Sequence, residues 1–403
     1  MSEAAPVPSA QRIAAVDVVR GLALFGVLLI NLLWHADIAI PGRVLARLPT
    51  ADIDAWLDPV LRWLWQGKAQ ALFSLLFGFG FAAMIDRLEQ RGAPADRLYA
   101  RRLSVLVVVG FVHLFFVWFG DILHNYALAG FGLLLLRRAR TGVLVGLGLV
   151  LSLFSFLAAD LYLAGRPALD ARLAEADRWG RAARWAIWQG GDYGRYVANM
   201  IEAVWREYLS APLFPALTAT ALGRFLLGAA IFRAGWLAEP ERARRLARRG
   251  LAWLLPVGLI LAGVHPLIEA AGWPATDVQR DVIGLVDQAG QLVLALAWAA
   301  AAVWLVRGGF EKALAAVGRM ALTNYLMQSL VYLFVLYGFG LGWLKYDGAT
   351  FALSLALAVF ALQIGFSLWW LARFRFGPAE WVWRTLTYGR APPLRPRVED
   401  ATV

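Results

Sequence analysis

Apolar runs of about 20 residues, the length needed to cross a bilayer, recur along the chain between short polar connections. None shows the strict alternation of a barrel strand, so the pattern predicts membrane-spanning helices. We predict an all-α polytopic membrane helical bundle of about ten transmembrane helices, forming a single membrane domain over residues 1–403. The predicted spans are 15–35, 63–85, 101–119, 122–137, 142–164, 213–235, 250–271, 282–306, 314–338 and 350–372.

The charge of the connections alternates along the chain. Five Arg residues lie between positions 87 and 102 and six between 233 and 249, whereas the short connections on the predicted outer side hold few cations. Short cytoplasmic loops collect Lys and Arg, so both termini are predicted to be cytoplasmic. These termini are a short N-terminal segment, 1–12, and a basic tail, 373–403.

Composition supports the membrane assignment. Of the 403 residues, 60% are hydrophobic and the mean hydropathy is +0.60, which is too apolar for a soluble domain. The net charge of +11 follows from the loop pattern, so membrane lipids rather than nucleic acid are the expected partners. The absence of Cys excludes thiol chemistry, and no dense ligand spacing predicts a metal. The N-terminal run reads as an uncleaved first span.

One connection on the predicted outer side, residues 165–211, is long. Its two halves flank Gly190 and Gly191, and each has apolar residues at helical spacing against charged ones. This pattern predicts extracytoplasmic amphipathic helices. They either pack on the bundle and membrane surface or form a lid over a site.

Two of the four histidines and an aspartate lie in one largely apolar stretch, GFVHLFFVWFGDILHNY, residues 110–126. His113 lies about 11 residues from Arg102, or roughly 16 Å along an outward-running helix, which places it in the outer membrane half. Asp121 and His124 are expected at the outer mouth. A buried histidine is often only a hydrogen-bonded core residue. Alternatively, Asp121 orients an imidazole while His113 or His124 serves as a general base.

Other spans also carry polar residues, which suggests a hydrated internal cavity. Arg20 either pairs within its helix or clamps a substrate phosphate. Lys68 either snorkels to the interface or serves a site, and Arg224 should face a buried carboxylate or anion. The candidate binding residues are Asp17, Arg20, Asn31, Lys68, Arg224, Asn324 and Gln328, while roles for His35 and His265 stay open.

Several motifs resemble those of the YeiB-like bacterial inner-membrane family, also called domain of unknown function 418. They are RGLALFGVLLIN, LFSLLFGFGF, RRLSVLVVVGFVHLFFVWFGDILHNYAL, GRFLLGAAIFRAGWL, VGRMALTNYLMQSL and FRFGPAEWVWRTLTYG. The resemblance implies a multi-pass protein of the bacterial inner (plasma) membrane.

This family is more distantly similar to transmembrane acyltransferases, which use a membrane histidine and a cytosolic acyl-CoA. The shared signature is Asp17, Arg20 and Gly21. The distant relatives place their histidine in or after the first span, where this chain has His35. In the YeiB-like pattern the histidine is His113.

The first functional hypothesis is therefore an acyltransferase with acyl-CoA as donor and a small-molecule or glycan hydroxyl or amine as acceptor. Arg20 and Arg224 would neutralise donor phosphates, His113 would deprotonate the acceptor, and Asn31 or Asn324 would bind the oxyanion. The alternatives are a transporter with a polar path and a non-catalytic scaffold or sensor. A homodimer is compatible with the sequence, which does not fix the oligomeric state.

Overall fold

A computed structural model describes residues 14–395, which fold into helices joined by short connections, with no strand in that range. The all-α prediction is confirmed. The predictions for residues 1–12 and for the end of the tail, 396–403, concern residues outside the described range. The helices are α1 (Ala14–Ala39), α2 (Gly42–Leu45), α3 (Ala51–Trp65), α4 (Lys68–Gln90), α5 (Ala95–Phe116), α6 (Leu123–Leu136), α7 (Thr141–Ala164), α8 (Pro167–Trp188), α9 (Tyr193–Ala203), α10 (Leu213–Arg233), α11 (Pro240–Ala270), α12 (Asp277–Leu305), α13 (Gly308–Arg319), α14 (Ala321–Val335), α15 (Ala349–Leu371) and α16 (Pro378–Tyr388).

The membrane-type bundle is also confirmed. Within residues 14–395, eight helical segments are long and apolar enough to cross a membrane, and α6 and α14 are shorter apolar helices beside them. Together they match the ten predicted spans one to one.

The two ends of the bundle differ in character. At one, which we call the basic end, Arg137 pairs with Glu89 and Asp96, and Arg233 donates to the Ala139 carbonyl at 2.6 Å. At the other, the loop end, residues 165–211 lie across the helix termini. Successive spans alternate between these ends, as the loop charges predict. Which end faces the cytoplasm stays a prediction.

The second span differs from its predicted bounds, 63–85. The chain forms a separate amphipathic helix, α3, then turns at Gly67 and begins α4 at Lys68. Gly67 has φ +75°, a left-handed conformation that disfavours side chains with a Cβ. Arg62 near the end of α3 pairs with Asp37 at 2.7 Å, which fixes α3 against the end of α1.

The ninth span, predicted as continuous over 314–338, is broken at Met320 into α13 and α14. The break is stabilised by Glu380 of α16. Its carboxylate accepts from the backbone N–H groups of Leu322 at 2.7 Å and Thr323 at 3.1 Å, the first turn of α14. A carboxylate is favoured there because the first N–H groups of a helix lack internal partners. Part of the predicted tail thus forms a docked helix.

Glycines allow two close helix crossings. A Cβ on Gly78 would lie 2.0 Å from the Phe225 carbonyl oxygen, and one on Gly228 would lie 2.0 Å from that of Leu75, so α4 and α10 touch along their backbones. Gly318 of α13 meets the backbone of Asp17 in α1 in the same way. Small residues at such contacts are typical of membrane helix packing.

The long connection is helical, as predicted. It consists of α8, α9 and a π-helical turn over Val204–Leu209. Arg184, Trp188, Tyr196 and Met200 are fully buried, so the segment packs onto the bundle rather than standing free.

Candidate functional site

The site is centred on the carboxylate of Asp121, in the turn between α5 and α6. Asp121 Oδ1 lies 2.9 Å from His113 Nδ1, and Oδ2 lies 2.9 Å from His124 Nδ1. Oδ2 also accepts from the His124 backbone N–H at 3.1 Å. One carboxylate therefore bridges both imidazoles.

The approach of α5 to α6 makes this arrangement possible. A Cβ on Gly110, one turn before His113, would lie 2.4 Å from the backbone nitrogen of His124. Glycine at this position lets the two helices come close enough for both imidazoles to reach one carboxylate.

Residues distant in sequence complete the site. The Tyr208 hydroxyl, from the π-helical turn, lies 3.0 Å from His124 Nε2 and also accepts from Asn125 Nδ2. Thr218 of α10 donates to Asn125 Oδ1 at 2.7 Å. The covering segment thus contributes directly to the site, which favours the lid over surface packing alone.

Tyr325 of α14 donates its hydroxyl to Asp121 Oδ1 at 3.2 Å, and its ring lies 5.5 Å from that of His113. Its neighbour Asn324, not Tyr325, was the residue predicted to serve the site. Tyr325 is one residue along the helix, and only the packing shows which face meets the histidines.

The three central side chains are buried, with His113 and Asp121 3% exposed and His124 fully enclosed. Asp121 and His124, predicted at the outer mouth, lie beneath Tyr208 and its helical segment rather than on the surface. Burial opposes the Asp121 charge, but the contacts with His113 and His124 outweigh it and lower the pKa of Asp121 to about 2.

The two histidines differ in what remains free. Both ring nitrogens of His124 are engaged, by Asp121 and by Tyr208. His113 Nδ1 lies 2.9 Å from Asp121 Oδ1, a close polar contact whose angles are not those of a hydrogen bond, and the buried Nε2 has no hydrogen-bond partner within residues 14–395. His113 is therefore the imidazole with an open nitrogen.

Two predicted binding residues lie at the basic end. Arg20 Nη1 donates to Asp17 Oδ1 at 2.7 Å, which confirms their pairing, and approaches the Gly318 carbonyl at 3.4 Å. The Arg20 side chain is 25% exposed, so part of the guanidinium can meet a ligand from that end.

Asn31 and His35 form a separate group at the loop end. His35 Nδ1 lies 2.6 Å from the Asn31 carbonyl, and its ring stacks on Trp118 at 3.8 Å between centroids. The Asn31 side chain faces Tyr332.

Asn324 and Gln328 face α15 rather than the histidines. Asn324 Nδ2 donates to Ser367 Oγ at 3.1 Å, and Gln328 Nε2 donates to Gln363 Oε1 at 3.1 Å. This amide network joins α14 to α15 inside the bundle.

Arg224 and Lys68 lie in a further polar group. Arg224 Nη2 donates to Gln288 Oε1 at 3.1 Å and Gln291 Oε1 at 3.0 Å, and Gln291 Nε2 donates to Asp287 at 2.8 Å. Arg224 was expected to face a carboxylate, and it is connected to that of Asp287 through the side-chain amide of Gln291.

Lys68 is only 3% exposed, so its side chain does not extend to the membrane surface as the snorkelling interpretation predicted. The predicted polar residues form separate groups rather than lining one cavity.

Comparison with known proteins identifies the family. The chain is 33% identical over 416 residues to the uncharacterized protein YxaH of Bacillus subtilis strain 168, covering 98% of each chain. It is 32% identical to the uncharacterized protein YeiB of Escherichia coli strain K12, covering 95% of this chain and 98% of the other. The chain belongs to the YeiB-like family, DUF418.

The family model described as "Protein of unknown function (DUF418)" matches residues 231–390. A further relative, an uncharacterized 39.9 kDa protein of Bacillus acidopullulyticus, is 28% identical over 402 residues, covering 96% of this chain and 97% of the other. No solved structure matches. The YeiB-like resemblance read from the motifs is confirmed. Of the site, only Tyr325 falls inside the matched family model, whereas the full-length relatives cover nearly the whole chain.

Proposed function

We propose that this YeiB-like protein is an acyltransferase of the bacterial inner membrane, with His113 as its general base. The observation that carries the proposal is the Asp121 carboxylate on the Nδ1 side of His113, with Nε2 left open. A carboxylate in that position holds the proton on Nδ1 and orients the ring, so that Nε2 presents its lone pair.

In the proposed reaction, His113 Nε2 takes the proton of an acceptor hydroxyl or amine as that atom attacks the thioester carbonyl of an acyl-CoA. The bond from carbon to the acceptor forms, the carbon–sulfur bond breaks, and the thiolate leaves with the proton returned by His113. The Tyr325 hydroxyl, held by Asp121 Oδ1 with its ring 5.5 Å from that of His113, is a fixed polar group that would orient the acceptor.

The donor would enter from the basic end. Arg20 is partly exposed there, and His113 lies about 11 residues along α5 from Arg102, roughly 16 Å at the helical rise. An acyl-CoA with its phosphates near Arg20 would extend its acyl arm along the bundle toward His113. Arg224 donates through Nη2 to Gln288 and Gln291, so we expect it to contribute less than Arg20 to neutralising the donor phosphates.

The test is transfer of label from radiolabelled acetyl-CoA to acceptors of a cell extract by the reconstituted protein. In His113→Asn the side-chain amide lies near the position of Nδ1, and in His113→Gln it lies near that of Nε2. Neither amide can act as a base. Both should lose at least about a hundredfold in rate, the range that general-base catalysis contributes. Full transfer by either well-folded variant would exclude His113 as the base.

A transporter is the second candidate, supported by the break at Met320 inside the ninth span. Interrupted helices are found in transporters, whose freed backbone groups bind solutes. Here the N–H groups of Leu322 and Thr323 are bound by Glu380, so a solute at this break would replace that carboxylate. Uptake of an unchanged solute into proteoliposomes, without label transfer from acetyl-CoA, would favour this function. The near-complete burial of His113 is what a non-catalytic scaffold or sensor would also show, and absence of both activities would support that reading.

A further inference from the structure

A cavity of about 570 Å³ opens at the loop end, and the residues that line it do not include His113, Asp121 or His124. It lies between the last turns of α7, the end of α11 with the connection after it, and the first half of α12. This volume falls within the range of small-molecule sites, roughly 300–1,000 Å³. None of the functions considered above uses it.

The mouth of the cavity is acidic. Asp160 of α7 and Asp281 of α12 are close enough for their charges to interact, and Glu269 of α11 adds a third carboxylate. The one arginine of the lining, Arg280, is already paired with Asp277. Like charges held together favour a cation between them, so the mouth is suited to an ammonium group.

The inner end of the cavity is lined by Asp287 and Gln288. Asp287 accepts from Gln291 Nε2 at 2.8 Å, and Gln288 Oε1 accepts from Arg224 Nη2 at 3.1 Å. With the oxygen held by Arg224, the amide –NH2 of Gln288 is the end left to donate to a ligand.

Buried positive charge lies directly behind Gln288. Arg224 is 3% exposed, and its Nε has no hydrogen-bond partner within residues 14–395. Lys68 is equally buried, and the carboxylate that acts on its charge is Asp287. Two buried cations thus share one carboxylate. This excess of positive charge favours an anionic group at the inner end, because uncompensated buried charge is costly.

Apolar side chains separate the two polar ends. Phe156 and Leu157 of α7, Ile268 of α11 and Leu285 of α12 form the walls. Asp281 and Gln288 are seven residues apart on α12, or roughly 10 Å along the axis. A ligand that satisfies both ends therefore needs a cation and an anion joined by an apolar body of several carbons.

We propose that this cavity binds a small zwitterion of the ω-amino acid type. Its ammonium lies between Asp160 and Asp281, its carboxylate is bound by Gln288 in front of Arg224, and its methylene chain contacts the apolar walls. The site is independent of the acyl-transfer proposal, and its occupancy can be measured without any turnover.

The test is calorimetric binding to the full chain in detergent at neutral pH, with four six-carbon probes. 6-Aminohexanoate carries both groups, hexylamine only the ammonium, hexanoate only the carboxylate, and 1,6-diaminohexane two ammonium groups. We expect 6-aminohexanoate to bind at least roughly tenfold more tightly than each of the others, since each lacks one complementary charge.

Variants locate the site. Asp281→Asn should weaken 6-aminohexanoate binding by roughly tenfold and leave hexanoate unchanged. Asp170→Asn is the control, because it removes the same charge from an exposed position of α8 outside the cavity, and the affinity of this variant for 6-aminohexanoate should stay within about twofold of wild type. If 1,6-diaminohexane bound as tightly as 6-aminohexanoate or more tightly, the proposed binding of a carboxylate at the inner end would be wrong. Equal affinities in Asp281→Asn and wild type, or no binding of any probe, would overturn the site itself.

Discussion

At the scale of single residues, the central fact is one carboxylate shared by two buried imidazoles. His113, Asp121 and His124 lie within 12 positions of each other, so their proximity could be predicted from the sequence. Tyr208 and Tyr325 could not, because they come from 84 positions beyond His124 and 204 beyond Asp121. No local pattern marks either tyrosine, since its role depends on which helix faces pack together.

Asp121 should contribute stability through its ionised form. Asp121→Asn leaves two buried imidazoles without their carboxylate, and we expect a loss of about 1–3 kcal/mol in unfolding free energy, the usual cost of leaving buried polar groups unpaired. The measurement is denaturant unfolding of the protein in detergent. Asp177→Asn, which breaks an exposed pair with Arg181, is the control and should change stability far less.

The pH dependence of this difference follows from the pKa of Asp121, which folding lowers from 3.8 to about 2. The contribution is fully present above the unfolded pKa and is lost as pH falls through the folded one. The stability gap between wild type and Asp121→Asn should thus be constant above pH of about 4 and shrink toward pH of about 2. A gap that grows on acidification would contradict this assignment.

At the scale of helices, apolar length predicted which segments cross the membrane, but not where they bend. α4 begins at Lys68 because Gly67 turns the chain, and the ninth span breaks at Met320 because Glu380 caps the first turn of α14. Glu380 is 58 positions from Leu322. A break stabilised from so far away leaves no mark in the hydrophobic pattern of the span.

The crossing of α4 with α10 should be intolerant of a side chain at Gly78. Gly78→Ala places a methyl group 2.0 Å from the Phe225 carbonyl oxygen, which forces the helices apart, and we expect a loss of about 1–3 kcal/mol. Gly80→Ala is the matched control on the same helix. Its nearest atom, Arg20 Nη2, is 4.0 Å away, so this variant should be neutral or stabilising. Thermal unfolding in detergent distinguishes the two, and equal midpoints would disprove the close crossing.

At the scale of the whole molecule, residues 165–211 act as a cover for the histidine site. Arg184, fully buried, donates to the Ile38 carbonyl and to Glu207, each at 2.8 Å, and so ties α8 to the end of α1 and to the π-helical turn. The same turn carries Tyr208. The covering segment and the histidine site are therefore joined through the same π-helical turn.

Removing the Arg184 contacts should loosen this cover. Arg184→Met leaves the buried end of Glu207 unpaired, and we expect cleavage of residues 165–211 by added trypsin to become at least about tenfold faster, since breaking a buried pair is strongly destabilising. Arg181→Met, on the exposed face of α8, is the control and should be cleaved at the wild-type rate apart from the lost site. In right-side-out vesicles the same digestion also tests the predicted outer location of this segment.

The sequence by itself determined that the chain is a helical membrane protein, where its spans lie, and that His113, Asp121 and His124 belong together. These follow from local properties, namely apolar length, loop charge and short spacing. Only the tertiary structure decided that the site is buried beneath Tyr208, that Tyr325 rather than Asn324 reaches it, and that the remaining polar residues divide into separate groups. Those outcomes depend on helix faces meeting across the bundle, and such contacts join residues that no local pattern connects.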